Sequence, residues 1–141
     1  MIKNILFFCF SFTFLSVFSQ ADDILGNWLS ADKKAHIEIY KVNNLYYGKM
    51  IWLREPNDPK TGKPKLDKMN PTQEKKSRPL LNLTILYNFK FENNEYSNGF
   101  VYDCRSGKVY DGKLWLSNNN SLNMRGYAGI FFSTEVWTRI K

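Results

Sequence analysis

Thr84-Ile85-Leu86-Tyr87-Asn88-Phe89-Lys90-Phe91-Glu92-Asn93-Asn94-Glu95-Tyr96-Ser97-Asn98-Gly99-Phe100-Val101-Tyr102-Asp103 is the stretch on which the fold turns. Two runs rich in aromatic and β-branched residues, Thr84 to Phe91 and Glu95 to Asp103, flank the pair Asn93-Asn94. Asparagine tolerates the positive φ that a tight hairpin demands, so the stretch predicts two antiparallel strands joined by a short turn. Neither run carries sustained helical periodicity.

The same grammar extends in both directions. Upstream, strands are predicted over Ile24 to Leu29, Ala35 to Val42 and Leu45 to Leu53, the last two joined at Asn43-Asn44. Downstream they are predicted over Lys108 to Leu116, Ser121 to Ala128 and Thr134 to Ile140, with turns at Ser106-Gly107 and Asn118-Asn119-Asn120. Sequential hairpins make an up-and-down meander, and about eight strands suffice to close a small all-β barrel and remove its exposed edges. An interior of that size holds side chains or one small ligand. The break in the pattern is Arg54 to Pro79, where Pro56, Pro59, Pro64, Pro71 and Pro79 forbid a central strand. This long proline-rich insertion between strands 3 and 4 is read as a cover or a binding element, with one helical turn at most over Thr72 to Ser77. Leu66, Met69, Leu80 and Leu81 in it are available to cover aromatic side chains on the outside of the barrel.

The whole chain has 141 residues, 43% of them hydrophobic and 16% aromatic, with a formal charge of +7. This describes one compact domain and excludes a disordered chain or a transmembrane bundle. Lys3 followed by the apolar run Ile5 to Phe18 and Ser19 reads as an export signal over residues 1–19, leaving 20–141 as the barrel domain. The run is shorter than the roughly 20 apolar residues of a spanning helix. Loss of residues 1–19 removes Lys3 and Cys9, so Cys104 stays as a lone thiol without an intrachain partner. The expected location is periplasmic or secreted, and the expected state monomeric.

Several segments resemble one bacterial family. Gly26-Asn27-Trp28, Tyr47-Gly48-Lys49-Met50-Ile51-Trp52-Leu53, Glu55 to Pro64, Arg78-Pro79-Leu80-Leu81, Tyr102-Asp103, Ser106-Gly107-Lys108, Arg125-Gly126-Tyr127 and Trp137-Thr138-Arg139 are similar to the family called domain of unknown function 2147. The resemblance covers nearly the whole exported chain and implies an exported, lipocalin-like barrel, but no activity. Cys104 stands where family members commonly carry proline. Gly26-x-Trp28 also looks like the first-strand motif of lipocalins, in which a tryptophan closes one barrel end and an arginine of the last strand packs across it. Trp28 and Arg139 are therefore assigned to closure, a structural task.

Candidate ligand contacts follow from strand faces. Alternation puts Tyr46, Gly48, Met50 and Trp52 on one face of their strand. On the penultimate strand Arg125 and Tyr127 lie opposite Leu122, Met124, Gly126 and Ala128, and either set could face inward. Turned inward, Arg125 and Tyr127 would orient a carboxylate or phosphate; turned outward, Arg125 would pair with an acid such as Asp103. Tyr46, Met50, Trp52, Tyr102, Arg125 and Tyr127 form the expected binding set.

Catalytic signals are poor. His36 is the single histidine, and a dyad with Cys104 has no supporting motif around the thiol. No cofactor motif is present, and the histidines and cysteines are too few for zinc. Lys60 stands where a calcium loop needs an oxygen ligand. Export argues against nucleic acid as a partner. The sequence thus points to a non-enzymatic binder of a small apolar or amphiphilic molecule in the bacterial envelope. The alternative is an interaction module in which the lysines of the insertion meet an anionic membrane surface or an acidic protein partner.

Overall fold

A computed structural model describes residues 19–141; the segment read as an export signal, residues 1–18 with the following Ser19, lies almost wholly outside them. Eight antiparallel strands close into a barrel in sequence order: β1 (Gly26–Leu29), β2 (Ala35–Val42), β3 (Leu45–Leu53), β4 (Thr84–Glu92), β5 (Glu95–Asp103), β6 (Lys108–Asn118), β7 (Ser121–Ala128) and β8 (Phe131–Arg139). Seven seams join consecutive strands, and the eighth pairs β1 with β8 through Trp28↔Arg139 and Leu29↔Thr138. Asn43, Asn44, Asn93 and Asn94 all take positive φ, between 49° and 64°, at the two asparagine turns.

Most strand ends agree with the sequence reading within two residues; the starts of the first and last strands differ for a structural reason. Ile24 and the residues before it form a 3-10 turn, Gln20–Ile24, and do not extend β1. The Ile24 carbonyl at the end of this turn accepts a 2.9 Å hydrogen bond from the Trp28 indole. At the other end β8 begins at Phe131, three residues before Thr134, because a two-residue turn at Gly129-Ile130 pairs Ala128 directly with Phe131.

Register irregularities in four of the seams reset the inside-outside alternation. Ile37 pairs with Met50 but His36 pairs with Trp52, so Ile51 is an extra residue in β3. Asn88 in β4 and Asn98 in β5 have φ of 59° and 56°, where a left-handed residue bulges the strand. Leu86 and Phe89, three apart, both face the interior as a result, as do Tyr96 and Gly99. Leu86 and Phe89 fill the half of the barrel next to the 3-10 turn. A methyl on Gly48 would come within 2.7 Å of Leu86, and one on Gly112 within 2.7 Å of Phe89, so these strands approach the filling side chains at their backbones.

Residues 54–83 separate β3 from β4 and contain a short 3-10 turn, Gln73–Lys75, and two isolated bridges, Asn57↔Pro64 and Leu66↔Pro79. Four connections lie together at one end of the barrel: 30–34, 54–83, 104–107 and 129–130. The opposite end carries the N-terminal 3-10 turn and the asparagine turns.

Candidate functional site

The two ends of the barrel are chemically different. At the closed end the Arg139 guanidinium lies 4.2 Å from the centre of the fully buried Trp28 ring. It also donates to the carbonyls of Leu25, at 2.8 Å, Asn119 and Asp23. Tyr46 and Tyr96 meet edge to face beside them, and their hydroxyls donate to the Asp22 carboxylate and the Ala21 carbonyl. Burial raises the pKa of both phenols, helped at Tyr46 by the hydrogen bond to Asp22. Tyr46 is thus part of the plug.

Beyond Leu86 and Phe89 the interior is hollow. A cavity of about 300 Å³ opens toward the other end, floored by Ile37, Met50, Ile85, Val101, Met124 and Trp137. Lys34, Arg54, Glu55, Lys65, Asp103 and Arg105 supply its polar rim. A second space of about 370 Å³ adjoins it and shares Val101, Asp103, Arg105, Met124 and Glu135, extending to Tyr110, Gly126, Phe131 and Phe132. The Trp137 indole donates to Glu135 at 3.2 Å, so the carboxylate stands above the floor with its orientation held. At Asp103 burial opposes ionisation, but hydrogen bonds from Arg105 and Ser106 outweigh it and hold the carboxyl below the usual range.

Residues 54–83 turn over this mouth and are tied to it by one carboxylate. Asp67 is completely buried; it accepts from the Tyr102 hydroxyl at 2.6 Å and the Asn70 amide at 2.8 Å, and pairs with Arg78 at 2.9 Å. Burial and the bond to Asp67 push the Tyr102 phenol up to about 12. Gly107, at φ 71°, lies directly beneath the Met69 carbonyl, in space that any Cβ would need. Both the backbone angle and the close approach demand glycine there.

The expected binding set divides accordingly. Met50 lines the cavity, and Tyr102 borders it while its hydroxyl is engaged by Asp67. Tyr46 belongs to the closed end. Trp52, placed by simple alternation on the face of Met50, instead turns outward and is 41% exposed, because the extra residue Ile51 shifts the phase. Its ring packs against His36, 4.3 Å away, while Cys104 lies on the cavity wall with its thiol pKa raised by burial. Arg125 and Tyr127 also face outward, since their strand neighbours Met124, Gly126 and Ala128 line the hollow side. Arg125 does not pair with Asp103. Its guanidinium sits 5.0 Å from the Trp115 ring and 4.3 Å from the Phe132 ring, with Nε donating to Thr134 at 2.7 Å. Trp115 and Phe132 on the outer face are therefore covered by a cation. Arg105 and Glu135, two of the three polar residues shared by both cavities, escaped the sequence reading; alternation along β8 from Trp137 places Glu135 inward and was the available signal. Among the described residues no group of three or more His, Cys, Asp or Glu is placed to hold a metal.

Comparison with known proteins agrees with this architecture. A solved structure of a protein from the human pathogen Helicobacter pylori, described as belonging to the lipocalin family, superposes with a TM-score of 0.69 at 22% identity. The likeness covers 83% of this chain and 82% of that one, and it concerns the fold. No curated protein matches the chain. Residues 26–139 match the family model described as an uncharacterized protein conserved in bacteria (DUF2147), and the chain belongs to that family.

Proposed function

We propose that this protein is a non-enzymatic binder of a small apolar or amphiphilic molecule, exported to the bacterial envelope and monomeric there. The observation that carries the reading is the hollow half of the barrel, apolar at its floor and polar at its rim. Such a site desolvates an apolar body at roughly 25 cal/mol per Å² of buried surface and leaves a polar group at the mouth. Met50, Met124 and Trp137 would hold the body, with methionine adapting to irregular shapes. Arg105 and Glu135 would meet a polar end, Arg105 donating and Glu135 accepting. Arg125 and Tyr127, on the outer face, have no part in it.

Native mass spectrometry of protein recovered from its own envelope tests the reading, together with displacement of a lipophilic dye by fatty acids. We expect a co-purified small molecule, and dye binding that is lost when Met124→Trp fills the cavity without unfolding the barrel. An empty protein that also leaves the dye free in solution would overturn it.

A further inference from the structure

We infer that the open end of the barrel docks on an anionic lipid bilayer, with the β7–β8 hairpin tip entering the interface and the lysine-bearing connections lying against the headgroups. This concerns the outer rim and stands whether or not the cavity holds a ligand. Charge is the first observation. In the connections 30–34, 54–83 and 104–107, lysines and arginines outnumber aspartates and glutamates by eleven to five, whereas the rest of the described chain balances at eight to eight. The net charge of the described residues thus falls in these three connections, all at one end of the molecule. Lys60, Lys63 and Lys75 there are exposed, and no acid pairs with them among the described residues.

The second observation is apolar and independent of the first. Ile130 is 90% exposed, Phe131 74% and Phe132 59%, consecutive at the tip of the hairpin that reaches the same end. Ile130 stands out from the two-residue turn, while Phe131, paired with Ala128, borders the second cavity and Phe132, paired with Tyr127, lies on the outer face beside Arg125. Met69, 56% exposed, adds to the same rim from the long connection.

The combination favours a bilayer over a protein partner. A stable protein interface buries about 800 Å² a side around a packed apolar core, and three tip side chains among dispersed, differently placed lysines do not supply one. Shallow insertion of a few apolar side chains plus diffuse cationic attraction is the two-signal pattern of peripheral membrane binding. A fluid surface accepts charges on several separate loops without a fixed register.

Flotation with vesicles tests this, using protein purified in the form its own cells process. Equal parts phosphatidylglycerol and phosphatidylcholine make the anionic vesicles, and phosphatidylcholine alone the neutral ones. Three variants are compared: Ile130→Ser at the tip, which lines neither cavity; Lys60→Glu, Lys63→Glu and Lys75→Glu together; and Val42→Ser at the closed end as a control, Val42 being 46% exposed. We expect binding to anionic vesicles that weakens at least tenfold on the neutral ones. It should also weaken steeply as salt rises from about 0.1 M to 1 M, where the screening length falls from ~10 Å to ~3 Å. Tip and lysine variants should each lose at least tenfold, while the control keeps its binding and all three keep the parent unfolding midpoint. Failure to bind anionic vesicles would overturn the proposal, as would binding that the tip variant retains or that ignores salt. Salt-sensitive capture of an acidic envelope protein by a chain that leaves vesicles untouched would overturn it in favour of a protein partner.

Discussion

Arg139 holds three backbone carbonyls and covers one indole, so a single side chain ties the last strand to the 3-10 turn and to β1. Trp28→Ala should cost about 2 to 4 kcal/mol, from lost packing as well as the lost ring contact, and Arg139→Ala less. Arg139→Lys should recover only part, because an ammonium neither stacks nor spans several carbonyls as a planar guanidinium does. Urea unfolding of the singles and the double gives the coupling, and strict additivity would mean the contact contributes nothing. At the other end Asp67 is the corresponding residue. Asp67→Ala leaves the buried Tyr102 hydroxyl without its acceptor, at about 1 to 3 kcal/mol, while Arg78, whose side chain is 34% exposed, can turn to water. The effect of the substitution should concentrate on residues 54–83: faster proteolysis there, with the barrel amides still protected from exchange.

At the scale of elements, the strands with their asparagine turns were legible because local pattern and turn chemistry agree. Trp28 and Arg139 were also legible, through the resemblance of Gly26-x-Trp28 to the first-strand motif of lipocalins, and barrel closure does bring the two together. Placement of side chains near the mouth was not legible, for a physical reason. Alternation assumes that every residue advances the strand by one step, whereas Ile51, Asn88 and Asn98 each add a residue that the partner strand does not match. Trp52 was misplaced on that account. Arg125 and Tyr127 were open to either face because Met124, Gly126 and Ala128 offer the hollow only small or flexible surfaces, not the bulky run that marks a filled core. The bulges can be tested directly. Asn98→Val forces a β-branched residue into a left-handed angle and should destabilise by about 1 to 3 kcal/mol, while Asn98→Gly should stay within about half a kcal/mol. Equal stability of the two variants in thermal unfolding would show that the bulge is dispensable.

For the molecule as a whole, stability should fall at both extremes of pH. Asp22 is held low chiefly by its hydrogen bonds from Lys41 and Tyr46. A carboxyl with a depressed pKa stabilises the fold above its ordinary value of 3.8, and that contribution is lost as pH falls below it. Tyr102 has the opposite sign: its phenol is raised from 10.0 to about 12, so its contribution is complete below 10.0 and disappears as pH climbs through about 12. Asp22→Asn should flatten the acid limb of a stability-pH curve and Tyr102→Phe the alkaline limb, both read from urea midpoints across the range. The β1–β8 seam has a further consequence, for the order of folding events. Every other seam is a hairpin or a neighbouring pair, whereas this one must bring together residues 28 and 139, nearly the full described length apart. Its closure entropy is the largest in the molecule and is compensated by only two register pairs and the Arg139 contacts. The seam should therefore knit after the meander has condensed, beyond the main barrier. In stopped-flow chevrons, Arg139→Ala would then leave the refolding arm nearly unchanged and raise the unfolding arm, with a φ-value close to zero. A φ-value near one would instead place barrel closure inside the nucleus. With late closure, the lifetime of the closed barrel depends on how fast one seam unzips.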